Sequence, residues 1–97
     1  MQLSDKETDI IEEHARRLLE KREWLKTICP SEIARALSEK ELEILNASGW
    51  RDTMDKIRSV VWELRENGVV ELLQKGQAII TTKLEDIHGP IRVRARQ

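Results

Sequence analysis

Apolar side chains recur at steps of three and four through the first quarter of the chain: Ile10, Ile11, Ala15, Leu18, Leu19 and Leu25, with Arg22 in the same row. That spacing is one face of an α-helix. Ser4 and Glu7 stand at capping-box spacing, and Asp5 and Glu7 suit the positive end of the helix. Arg16, Arg17, Lys21 and Arg22 crowd the other end, where the dipole favours bases. The pattern predicts a helix from about Asp5 to Glu23, with Trp24 closing the core edge and His14 as a polar residue at the helix boundary.

The period then breaks. Thr27 and Ile28 favour extended backbone, and Cys29-Pro30-Ser31-Glu32 starts a second helix that carries Ile33, Ala34 and Leu37 inward. Proline is well tolerated in the first turn, and a glutamate at the third position reaches back to the cap. Ser38 and Glu41 repeat the capping-box spacing, so a further short helix is expected over 39–45, ended by Asn46, Ser48 and Gly49. Trp50, Met54, Ile57, Val61 and Leu64, widened by Val60, give another helical stripe over Trp50–Asn67, and Gly68 terminates it.

Beyond Gly68 the pattern shifts towards the strand period of two. VVELL, a QKGQ turn and AIITT read as a β-hairpin, and IRVRAR as a strand with Ile91, Val93 and Ala95 opposite Arg92, Arg94 and Arg96. Lys83–His88 reads as a polar connection, and Gly89-Pro90 restarts the backbone. Three core helices, a short strand before the second and a hairpin after the third form the layout of a winged helix-turn-helix, a mainly helical α+β fold.

Composition narrows the class. With 97 residues, the chain is read as one domain spanning 1–97. Its charged fraction is 36% and its hydrophobic fraction 39%, so it can build one modest core. The net charge is only −1. Acids dominate residues 1–13 and 27–49, bases dominate 14–26 and 68–97, and 50–67 balance. Any basic patch must therefore be local. A single cysteine, no signal-like start and no long apolar run point to a cytoplasmic protein with no membrane contact.

CPSEIARAL, then Trp50-Arg51 with Met54 and Arg58, then QKG and GPIR, resemble a small bacterial family of domains of unknown function. The resemblance runs from Cys29 to Arg94 and implies a winged-helix fold without supplying an activity. Ser38–Gly49 is longer than that family usually carries, and Trp62 replaces a small residue.

Candidate chemistry follows from this layout. The third core helix of a helix-turn-helix enters the major groove and reads base edges, often through arginine. Arg51, Asp55, Arg58, Trp62 and Arg65 share one face, but Asp52, Asp55, Glu63 and Glu66 leave the helix neutral. A solvated helix with internal pairs such as Asp52–Lys56 is slightly favoured for that helix alone. On the last strand, Arg94 and Arg96, aided by Lys75 at the turn, are equally well read as phosphate contacts or as a solubilising edge. Arg92 is read as a tether to an acid such as Glu32, and Glu32 with Arg35 as a structural pair that takes Arg51 or Arg58 as partner. Cys29, Pro30, Ser31, Trp50, Gly89 and Pro90 complete the structural set.

A reactive thiolate at Cys29 is disfavoured against a small buried side chain. No metal site, cofactor loop or catalytic triad is spelled out, so no cofactor and no enzyme activity are expected. The leading reading is a nucleic-acid-binding module acting on duplex DNA through Arg51, Arg58, Arg65, Lys75, Arg94 and Arg96. The alternative is a protein-interaction module using the acidic start of the first helix, Glu39–Leu45 and Trp62. An accessory domain of an enzyme using Cys29 ranks third. The sequence leaves the oligomeric state open.

Overall fold

The computed structural model describes residues 3–22 and 26–96. Four α-helices precede a three-stranded antiparallel sheet: α1 (Asp5–Glu20), α2 (Pro30–Ala36), α3 (Glu39–Ile44), α4 (Met54–Glu66), β1 (Val70–Gln74), β2 (Gln77–Ala78) and β3 (Arg92–Ala95). A 3-10 turn at Trp50–Thr53 leads into α4, and a second one lies at Leu84–Asp86.

The caps form where the sequence places them. Ser4 and Glu7 close a reciprocal box on α1, as do Ser38 and Glu41 on α3. On α2 the side chain of Glu32 accepts the Cys29 N–H at 2.6 Å. Helix α4 ends in a Schellman motif: Gly68 at φ 76 donates to Arg65 O, and Val69 donates to Leu64 O.

Strand order is β2-β1-β3, and β1 runs along β3 from Val70↔Ala95 to Leu73↔Arg92. Ile28 adds a bridge to Val93, with both N–H···O bonds at 2.8 Å. The extended residue before α2 is thereby locked to the last strand, an arrangement compatible with a winged-helix fold. Ile11, Ala15 and Leu19 of α1, Ile33 of α2, and Ile57, Val60, Val61 and Leu64 of α4 pack on Ile28, Val70, Leu72, Ile91 and Val93.

Several expectations need correction. Helix α1 stops at Glu20, and Arg22 leaves the apolar row to pair with Glu32 across to α2. Glu23, Trp24 and Leu25 lie outside the described residues. The helix expected from Trp50 takes α geometry only at Met54, because its first turn is a 3-10 turn in which the buried Thr53 hydroxyl donates to Trp50 O at 2.6 Å. The second hairpin strand is short: only Gln77 and Ala78 pair fully, and one further bond joins Ile79 N–H to Leu72 O. Arg65 takes the Ile79 carbonyl at 2.9 Å and draws the chain off the sheet. The Asp52–Lys56 pair does not form. Asp52 accepts from the N–H and hydroxyl of Ser48, while Lys56 reaches Glu7 at 2.5 Å and Leu45 O at 2.7 Å.

These contacts set an acid sensitivity. Hydrogen bonds from Lys56 and Ser4 hold the Glu7 carboxyl below its ordinary value. Burial works against ionised Glu41, but hydrogen bonds from Ser38 and His14 outweigh it and lower that carboxyl too. A carboxyl depressed in the folded state adds stability above its unfolded pKa and loses it as pH falls through the folded value. Urea midpoints should therefore be flat from neutral pH to about 5 and fall below about 4. Glu7→Gln should be less stable than wild type at neutral pH and show a shallower acid decline.

Candidate nucleic-acid interface

The start of α4 is built by short-range polar contacts. Asp52 folds back onto Ser48, its N–H donates to Gly49 O, and Thr53 closes on Trp50. The Ser48 hydroxyl and N–H lower the Asp52 pKa. The turn leaves Trp50 half-buried and Arg51 exposed, with the Arg51 guanidinium 4.5 Å from the indole centroid. Arg35, in the last turn of α2, sits 5.1 Å from the same centroid. Each contact contributes about 0.5–1 kcal/mol at an exposed site. Among the described residues neither arginine makes an ion pair, so two positive groups gather on one aromatic ring where α2 meets α4.

The other candidates divide. Arg58 donates to the carbonyls of Gly89 and Ile87, both at 3.2 Å. Arg65 holds Ile79 O, lies 4.5 Å from the centroid of Trp62 and approaches Glu66 at 3.6 Å. Together they fasten residues 79–89 against the face of α4 expected to read bases. Arg94 pairs with Glu71 at 2.6 Å, and its buried Nε has no partner. Lys75 is exposed at the hairpin tip, where φ values of 54 and 80 at Lys75 and Gly76 make a primed turn. Arg96 is exposed beside a cleft of about 370 Å³ that Arg65 and Glu71 also line.

Arg51, Lys75 and Arg96 therefore remain at the surface, while Arg58, Arg65 and Arg94 are engaged within the fold. Sequence spacing makes Arg35 a structural partner of Glu32, but Glu32 pairs with Arg22 and Arg35 lies on Trp50. The missed signal is that a residue in the last turn of α2 can meet the first turn of α4 across the intervening helix.

The structural set also resolves into named contacts. Arg92 is a tether, but to Thr27, with Nε on the hydroxyl at 2.9 Å and Nη2 on the carbonyl at 3.4 Å, and not to Glu32. Glu32 pairs with Arg22 and not with Arg51 or Arg58. Cys29 is half-buried and its sulfur accepts from Ser31 Oγ at 3.1 Å. Pro30 is buried as the first residue of α2, and Gly89 at φ 88 turns the chain before Pro90. His14 contacts Glu41 at 2.9 Å and joins α1 to α3. Among the described residues no group of three His, Cys, Asp or Glu side chains is placed to hold a metal. No described helix is long and apolar enough to cross a membrane.

By fold this is a small, mainly helical α+β chain with a three-stranded antiparallel sheet, compatible with a winged-helix-like fold. The chain belongs to the family described as "Protein of unknown function (DUF3253)", whose match covers residues 8–96 and so takes in most of α1 as well as the motifs from Cys29 onward. No curated protein matches it.

Proposed function

We propose that this chain is a cytoplasmic winged-helix module that binds duplex DNA where the end of α2 meets the 3-10 turn leading into α4, and that it is not an enzyme. Arg35 and Arg51 are its principal contacts, with Lys75 on the wing and Arg96 on the last strand as additional ones. The observation that carries this reading is the pair of guanidiniums on the Trp50 ring, without acidic partners among the described residues. In helix-turn-helix proteins the N-terminal residues of the recognition helix meet the base edges. Arginine there can bind phosphate or take a guanine edge bidentately. The acids Glu63 and Glu66, exposed in the last turns of α4, oppose contact there, and Asp52 beside Arg51 is held back on Ser48.

Trp62 gives less support to a protein-interaction reading, because it is half-buried beneath Arg65. A salt titration of duplex DNA binding tests the proposal. The logarithm of the binding constant should fall with that of salt concentration by about 0.9 per phosphate neutralised. If both side chains contact phosphate, Arg35→Ala with Arg51→Ala should reduce the slope by about 2. Absence of binding at low salt, or an unchanged affinity in the double variant, would overturn this assignment.

A further inference from the structure

The basic side chains of α4 that could read bases are already engaged within the fold. Lys56 is held by Glu7 and the Leu45 carbonyl, Arg58 by the carbonyls of Ile87 and Gly89, and Arg65 by that of Ile79. The charged groups that α4 leaves exposed are carboxylates, on Asp55, Glu63 and Glu66. In the major groove a carboxylate can accept from cytosine, but it meets the flanking phosphates with like charge. The free guanidiniums stand elsewhere, at the corner where Arg35 of α2 and Arg51 of the 3-10 turn share the Trp50 ring. Asp52, next to Arg51, is drawn back onto the N–H and hydroxyl of Ser48.

We infer that this corner grips neighbouring phosphates and binds duplex DNA without regard to base sequence, a conclusion that rests on the duplex reading above. A guanine edge offers its O6 and N7 to one guanidinium. Two guanidiniums converging on one ring repel each other, and a single base satisfies only one of them. A phosphodiester backbone supplies anions in series. In helix-turn-helix complexes the helix ahead of the recognition helix crosses that backbone. On the winged-helix reading α2 takes that place, and Arg35 lies in its last turn. A double strand is favoured over a single one by the aromatic rings. Proteins that hold single strands stack the bases on open aromatic faces. Trp50 and Trp62, the tryptophans among the described residues, already carry guanidiniums. A duplex keeps its bases stacked on one another and needs no such platform.

Fluorescence anisotropy of the full chain with a labelled mixed-sequence duplex, competed by unlabelled DNA of equal length, tests this. Duplexes of A·T pairs alone and of G·C pairs alone should compete within about twofold of each other, whereas one bidentate guanine contact would separate them by about fivefold or more. A single strand should compete more weakly than either. Arg51→Ala should weaken binding to both duplexes by the same factor and lower each salt slope by about 0.9. Repeated selection from a pool of random-sequence duplexes should enrich no motif. An enriched motif, a preference of the size a guanine contact gives, or an Arg51→Ala loss confined to G·C DNA overturns the inference and leaves duplex binding standing. A single strand that competes as well as a duplex overturns the choice of the double strand. Absence of binding to any duplex at low salt overturns this inference together with the reading it rests on.

Discussion

Replacing Ile28 by alanine is expected to cost about 2–5 kcal/mol of unfolding free energy, the range for truncating a fully buried isoleucine. That is a large share of the roughly 5–15 kcal/mol that holds a domain of this kind folded. Ile28 is 0% exposed and lies in the one core cluster, among residues of α2, α4 and β3. Its backbone exchanges both hydrogen bonds with Val93, while its side chain belongs to the cluster that includes α2 and α4. The chain ahead of Ile28 is tied to the same strand by Arg92 on Thr27. A cavity there would loosen the strand and the start of α2 together. Urea denaturation should show a lower midpoint with an unchanged slope, the signature of lost stability rather than a changed unfolded state. Ile80→Ala provides the contrast: a side chain outside the core should change stability by no more than about 0.5 kcal/mol. An Ile28→Ala loss that small would mean that strand pairing, rather than side-chain packing, anchors this segment.

Much of this arrangement is legible in the residues because local rules and burial agree. The Ser4–Glu7 and Ser38–Glu41 boxes, Pro30 at a helix start and Gly68 at a helix end each have one low-cost conformation. The apolar rows of α1 and α4 coincide with those conformations. Long-range arginine contacts are not legible in the same way. Arg58 and Arg65 have helical spacing compatible with either a nucleic-acid face or a packed one, and the sequence gives no sign of which carbonyls fold across to meet them. The same contacts account for the short β2. The β propensity of AIITT predicts a longer strand, but Arg65 on Ile79 O and the burial of Ile87 carry the chain away from β1. Tertiary contact overrides local preference here. The Arg35–Trp50 contact is illegible for a related reason: Trp50 lies beyond the whole of α3, and the crossing angle that joins them is a property of packing.

Arg58→Met should detach residues 79–89 from α4 while leaving the helices folded. The long apolar side chain retains some packing along α4 but offers no donor, so the carbonyls of Ile87 and Gly89 lose their partner. Leaving such groups unpaired costs about 1–3 kcal/mol where water cannot replace the bond. Gly89 is exposed and readily hydrated, so most of the loss should fall on the buried Ile87. Trypsin reports the result directly, because Lys83 lies within the fastened segment. Cleavage at Lys83 should accelerate well beyond any change at sites in α1. Arg58→Lys should restore only part of the protection, since an ammonium is a point donor and cannot reproduce the two-pronged guanidinium contact. The same variant separates two roles for Arg58. A clamp on residues 79–89 predicts lower stability and faster cleavage with an unchanged salt slope for DNA binding. A phosphate contact predicts a slope reduced by about 0.9 with cleavage unaltered. If Arg58→Met leaves both melting and cleavage at the wild-type level, burial of Ile87 and Ile91 holds the segment and the arginine contact is dispensable.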